Sequence, residues 1–118
     1  MMPGMLEGIK VLDISEDIAG SFCARLLADY GADVLKLEPP TGAKLRRMGP
    51  FFNDQPDPEK SLFYFPLNLN KKGATLNLNT VTGKSIFKRL AEHVDIIIET
   101  YTPDYLSSLG LGHADLAH

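Results

Sequence analysis

The sequence predicts an α/β fold, a doubly wound parallel sheet with helices on both faces. Three observations predict it. Short β-leaning apolar runs alternate with helical runs along the chain, the pattern of a parallel sheet covered by helices. The stretch LLADYGADVLKLEPPTG, Leu26 to Gly42, reads in turn as a helix end, a glycine stop, a short apolar strand and a proline break. DIIIET, Asp95 to Thr100, is a continuous apolar run of the kind that parallel strands buried on both faces carry. Crossovers in such sheets are right-handed, and the commonest doubly wound order places four strands as 3-2-1-4. The switch point then lies between the first and fourth strands. Ligands sit outside the carboxyl ends of the strands at that point, so the loops Glu16 to Ala19 and Thr100 to Pro103 flank the expected crevice.

Each element follows in order. IKVLDIS, Ile9 to Ser15, is short, apolar and β-leaning, a first strand. AGSFCARLLADY, Ala19 to Tyr30, is a helix with Phe22, Leu26, Leu27 and Tyr30 on one apolar stripe. Asp17 stands where a cap would start it, and Gly31 is a natural left-handed stop. DVLKLE, Asp33 to Glu38, is the second strand, ended by Pro39 and Pro40, which cannot donate to a ladder. From about residue 39 to 60 the chain is rich in breakers and reads as a long loop, a length that compact domains reserve for function or disorder. SLFYFPLNLN, Ser61 to Asn70, suggests a short helical turn stopped near Pro66. ATLNLN, Ala74 to Asn79, alternates as a third strand should. TGKSIFKRLAEHV, Thr82 to Val94, repeats Ile86, Leu90 and Val94 at a spacing of four, a helix docked on the sheet. The fourth strand, DIIIET, is followed by a short helix from Asp104 to Leu109, with Gly110 as its stop.

The 118 residues suit one domain, residues 1–118, that buries roughly two-thirds of its surface. Apolar residues at 44% and charged residues at 23% are ordinary for a globular protein. A net charge of −3 argues against a nucleic-acid binder, which carries a basic face. No apolar run approaches the roughly 18 residues of a membrane span. The start, MMPGMLEG, lacks the charged and apolar regions of a signal peptide. The single Cys23 allows no internal disulfide, which fits a reducing, cytoplasmic setting.

The turn after the first strand, SEDIAGS, holds one glycine, Gly20, and not the G-x-G-x-x-G that a dinucleotide needs. The helix start at Ala19 and Gly20 still offers free N–H groups and a positive dipole end, while Gly20 equally suits close packing alone. Two basic pairs lie on loops: Arg46 with Arg47, and Lys71 with Lys72. They read either as solvated surface charge or as grips for phosphate, through the planar fork of Arg and the mobile charge of Lys. Asp13, inside the first strand, reads as a structural hydrogen-bonding group. Cys23 reads as a small core residue. His93, His113 and His118 have no metal-ligand spacing with one another or with Cys23, so no metal site is expected.

The stretches GIKVLDIS…AGSFCARLLADYGADVLKLEPPTG, LRRMGPF, LNLNKKGATLNLNTVTGK and DIIIETYTPDYLSSLGLG together resemble the N-terminus of the family III CoA-transferases, a family that includes formyl-CoA transferase, carnitine CoA-transferase and α-methylacyl-CoA racemase. The likeness runs from about Leu6 to Leu116 in the family's order. It implies a Rossmann-like domain, truncated relative to the family, that binds CoA or acyl-CoA as substrate with no covalently held cofactor. It also implies a homodimer of interlocked chains. Transferases pass CoA between carboxylic acids through an aspartyl-CoA thioester; racemases shuttle a proton at the α-carbon of an acyl-CoA. In both, a large handle supplies remote binding energy that positions the reacting centre. By position, the resemblance places CoA contacts near Ile18 and Ala19, Pro39, Leu76 and Asn79, and Thr100, Tyr101 and Thr102, with Arg46, Arg47, Lys71 and Lys72 available to phosphates.

The departures carry weight too. Where members often read E-N-F-R-P-G, with a further Arg before the final LG, this chain has ETYTPDYLSSLG. Thr100 stands for the Asn, Thr102 for an Arg, Asp104 for the Gly and Ser108 for the second Arg; Pro39 stands where some members have Arg. Each lost charge-assisted bond is worth about 1.5–3 kcal/mol. Members run to several hundred residues, and the aspartate nucleophile, the racemase acid/base groups and the small domain all match positions beyond these residues. No catalytic residue is therefore assigned here. The reading is a CoA-binding portion of a transferase, inactive by itself, with a racemase-like fragment or a non-catalytic binding or assembly module as alternatives.

Overall fold

The computed structural model describes residues 4–117. Four parallel strands, β1 (Lys10–Asp13), β2 (Asp33–Glu38), β3 (Lys72–Thr75) and β4 (Ile96–Ile98), form one sheet in the order β3-β2-β1-β4, the order expected. Val11 lies beside Val34 on one side and Ile96 on the other. The helices are α1 (Ile18–Asp29), α2 (Tyr64–Leu67), α3 (Val81–Ala91), α4 (Tyr105–Ser108) and α5 (His113–Leu116).

Alternation along the strands builds two cores. Val11 and Val34 turn to one face and meet Ala24, Ala28 and Ala32 of α1 and the turn after it. Leu12, Ile14 and Leu37 turn to the other, against Phe87 of α3 and Leu111, with Leu106 and Leu116 of the last two helices beside them. Helices thus cover both faces, as a doubly wound sheet requires.

The inward stripe of α1 differs from the expected one. Gly20, Ser21, Ala24 and Ala28 face the sheet. Phe22, Leu26 and Tyr30 face outward, at 49%, 41% and 56% exposure, and Cys23 is exposed as well, so it is not the core residue its neighbours suggested. The reason is spacing. Small residues let the helix lie close to the sheet, and a Cβ on Gly20 would overlap the side chains of Ser15 and Thr100. Of the expected stripe, Leu27 packs against the core.

Helix ends follow the expected chemistry in part. Gly31 and Gly110 take φ of +107° and +73°, the left-handed stop that favours glycine. Asp17 occupies the cap position of α1 but makes no side-chain cap bond, whereas Thr80 caps α3 by accepting from the Gly83 N–H at 2.9 Å. α2 runs through Pro66 to Leu67, because proline in a first helical turn withholds only an N–H that has no partner there.

The edges differ as well. β3 covers Lys72–Thr75, four exposed residues, and Leu76 and Leu78 beyond it pack into the core from a loop. β4 is an edge strand, so Ile96 is exposed and Ile97 and Ile98 are half-buried, not covered on both faces. Within residues 39–60 lie two 3-10 turns, Lys44–Arg47 and Phe52–Asp54. The first folds over a small core of Ala43, Leu45 and Tyr64, pinned by Ser61, whose hydroxyl bonds the carbonyls of Leu45 and Met48 at 2.8 Å.

Candidate functional site

The carboxyl ends of the four strands open onto a cleft of about 310 Å³. β1 brings Ile14 and Glu16 to it, β2 leads into Pro39 to Thr41, the loop after β3 supplies Leu76 to Asn79, and the segment after β4 supplies Tyr101 and Tyr105. A second recess of about 430 Å³ shares Glu16, Tyr101 and Tyr105 and adds Asp17, Lys44, Thr100 and Thr102. The two form one crevice at the place the switch-point rule selects.

Local sequence explains the shape. Pro39 and Pro40 turn the chain away after β2, so the cleft floor is not closed by a continuing strand. The β1–α1 loop is tied across the crevice, with the Glu16 N–H donating to Thr100 Oγ1 at 3.1 Å. Tyr101 and Tyr105, four residues apart, bring their ring centroids to 4.7 Å at 35°. Burial, then the carboxylate of Glu16, raises the Tyr101 phenol above its usual range, so it stays a neutral donor. Asp104, where the resemblance expects glycine, takes φ of +71°. The first recess is thus mainly apolar and aromatic, with amide and hydroxyl groups from Asn77, Asn79 and Thr41, while the second is lined largely by polar groups, Thr100 and Thr102 among them. The charged lining of the crevice is Glu16, Asp17 and Glu38, the last already held by Arg46, against Lys44.

The expected site residues divide. Pro39, Leu76, Asn79, Thr100, Tyr101 and Thr102 meet in the crevice. Ile18 and Ala19 lie exposed on the first turn of α1, beside it. Arg47 is exposed and donates to the Thr41 carbonyl at 3.3 Å. Three of the basic residues pair with carboxylates of the chain: Arg46 and Lys71 are drawn inward and so are not solvated surface charge, whereas Lys72 stays exposed. Arg46 grips Glu38 with both arms, Nε to Oε2 at 2.6 Å and Nη2 to Oε1 at 2.7 Å, and lies 3.8 Å over the Tyr64 ring. Lys72 pairs with Asp33 at 3.1 Å, at the amino-terminal ends of β3 and β2. Lys71 turns inward to Asp13. Sequence reasoning missed Lys44 and Tyr105; the i, i+4 spacing of two tyrosines was the available signal.

Beneath the crevice lies a buried polar layer. Asp13, Lys36 and Glu38 all point to the α1 face of the sheet, as their even spacing from Val11 and Val34 dictates. Asp13 accepts from Lys71 Nζ at 2.7 Å and stands 3.5 Å from Lys36 Nζ, with all three side chains no more than 2% exposed. Burial pulls both lysines below their usual range, partly offset by the Asp13 charge. Burial opposes ionisation of Glu38, but bonds from Arg46, Tyr64 and the Ala43 N–H outweigh it and hold the carboxyl down to about 2.

With this geometry in place, the comparisons with known proteins bear on it. The model of CoA-transferase family III matches residues 6–118. The human succinyl-CoA:glutarate CoA-transferase is 39% identical over 112 residues, 94% of this chain and 25% of its own. The succinyl-CoA:(R)-benzylsuccinate CoA-transferase subunit BbsE of Thauera aromatica is 36% identical over 92% of this chain and 26% of its own. Among solved structures, a CAIB/BAIF family protein from Brucella suis superposes with a TM-score of 0.87 at 30% identity, covering 98% of this chain and 30% of that one. Rv3272 of Mycobacterium tuberculosis does so with a TM-score of 0.85 at 35% identity, over 97% and 31%. The chain spans about a quarter of the length of the curated relatives it matches.

Proposed function

This chain belongs to CoA-transferase family III, and from that premise we propose that its crevice binds CoA or acyl-CoA for the transfer of CoA between carboxylic acids. The observation that carries the proposal is the convergence of Pro39, Leu76, Asn79 and Thr100 to Thr102 at the carboxyl ends of the strands. The CoA-transferase names of the relatives support transfer over racemisation.

The residues here supply binding and orientation. The apolar and aromatic wall takes the less polar parts of the ligand, and the neutral Tyr101 hydroxyl, Asn79 and Thr100 offer hydrogen bonds. Lys44 is the cation lining the crevice among the described residues, so the phosphates lie toward it and the neighbouring Arg47. No carboxylate here takes the role of nucleophile; the reacting groups match family positions outside this segment.

Calorimetry with CoA tests the reading. Saturable binding is expected, weaker in Tyr101→Ala, and weaker with a smaller salt dependence in Lys44→Ala, because an exposed ion pair is screened. Absence of saturable binding by the wild type overturns it. The purified chain, mixed with acyl-CoA donors and carboxylate acceptors, is expected to show no turnover. Turnover that persists through purification would place the reacting groups within these residues.

A further inference from the structure

Lys71, one of the loop cations the sequence offers as a phosphate grip, sits instead with Lys36 of β2 behind the loop that forms the crevice. Lys36 Nζ donates to the Ser15 carbonyl and lies 3.3 and 3.4 Å from the hydroxyls of Ser15 and Ser21. Lys71 Nζ donates to the Ser21 carbonyl at 3.0 Å, to Asn68 Oδ1 at 2.7 Å and to Asp13. Asp13 in turn accepts from the Ser15 N–H at 2.9 Å and the Ser15 hydroxyl at 2.5 Å. The carbonyls of Ser15 and Ser21 bracket one segment, Glu16 to Gly20. That segment carries Glu16, which lines both recesses, and Asp17, which lines the second.

We propose that Lys36 and Lys71, gathered on Asp13, are positioning residues that set the conformation of the β1–α1 loop, and through it the shape of the crevice. The link to ligand affinity rests on the CoA reading above; the link to loop conformation does not. The geometry favours this role over phosphate contact. Each ammonium has three donors; Lys71 already has three polar atoms around it and Lys36 four. Freeing either one would leave Asp13 and the loop carbonyls short of a bond inside the protein, where an unpaired polar group is costly. A loop held from below by charge-assisted bonds is ordered before ligand arrives, and a supporting layer of this kind decides how well a site fits.

The test uses Lys36→Met and Lys71→Met, which remove the ammonium at similar length, with Ser61→Ala as a comparison. Ser61 is buried and bonds two carbonyls in a different part of the chain. The first readout is the backbone amide spectrum of the ligand-free protein. Both methionine variants should move the signals of Glu16 to Gly20, and Ser61→Ala should not. The second is CoA affinity at low and at physiological salt. A positioning role weakens it about tenfold at both, with an unchanged salt dependence. Loss of salt dependence in Lys71→Met would make that lysine a phosphate contact and overturn the proposal. Unmoved loop amides, or unchanged affinity in folded variants, would reduce the cluster to core structure and overturn it too. Should Lys36→Met not fold, Lys71→Met carries both readouts. Should the wild type bind no CoA, the reading of the crevice fails, and the amide signals alone decide whether the lysines set the loop.

Discussion

At the scale of single residues, the chain concentrates its electrostatic commitments on two buried carboxylates. Glu38 carries its charge at a cost in burial and recovers it through Arg46, Tyr64 and the Ala43 N–H. Its carboxyl is therefore held at about 2, against an ordinary 4.5. A depressed folded value means stability that is present above the unfolded value and is lost as pH falls through the folded one. The expected contribution is on the order of 2–3 kcal/mol. Urea midpoints measured across that acid range should fall steeply in the wild type and more gently in Glu38→Gln. Asp13 makes a harsher case. Asp13→Asn leaves two buried ammonium groups without their shared anion, and should cost about 3–5 kcal/mol in chemical denaturation. A cost below about 1 kcal/mol would show the cluster to behave as a solvent-exposed pair. This layer was partly legible beforehand. Asp13 and Lys36 each stand inside an apolar strand, and charges there must be paired. What sequence could not give was the partner: Lys71 lies 58 positions from Asp13, and no periodicity links them.

At the scale of elements, alternation made the strand order readable and the edges unreadable. β2 falls where its pattern and its prolines put it, Asp33–Glu38. β3 does not, because an edge strand whose four residues are all exposed has no apolar face to advertise. The alternating Leu76 and Leu78 that stood out belong to the loop that dips back into the core. α1 misled for a related reason. It has one large-residue stripe and one small-residue stripe, and close packing on the sheet selected the small one. Glycines expose that closeness. Gly20→Ala should lower the thermal midpoint and displace the Glu16 and Thr100 amides, since its Cβ would enter the Ser15 and Thr100 side chains. Gly73→Ala is the comparison, because nothing lies within 4 Å of a Cβ on that edge strand. It should be neutral or stabilise by about 0.4–1 kcal/mol through the unfolded chain. Equal behaviour of the two variants would mean that α1 does not sit as close to the β1–α1 loop as described.

At the scale of the whole molecule, the same packing choice leaves surface to account for. Ile18, Phe22, Leu26 and Tyr30 form an outward row on α1, each more than 40% exposed. Phe52, Phe63 and Phe65 are exposed too, while Tyr64, between the last two in sequence, is buried. β4 presents an open edge with Ile96 exposed. Monomers rarely keep contiguous apolar patches beyond a few hundred Å², and open apolar strand edges invite pairing. From these features we propose self-association, most simply as a two-fold dimer in which one patch meets its copy. Sedimentation velocity across a dilution series should show a mass that falls toward the monomer only at low concentration. Replacing Phe22 and Leu26 with Gln should shift that equilibrium toward monomer while leaving the unfolding midpoint of the dilute protein nearly unchanged, because neither side chain is part of the inner face of α1. If the two substitutions leave association intact, the contact lies at the β4 edge or the phenylalanines instead. A protein that stays monomeric at high micromolar concentration would show that these apolar groups are tolerated in water and that no second copy covers them.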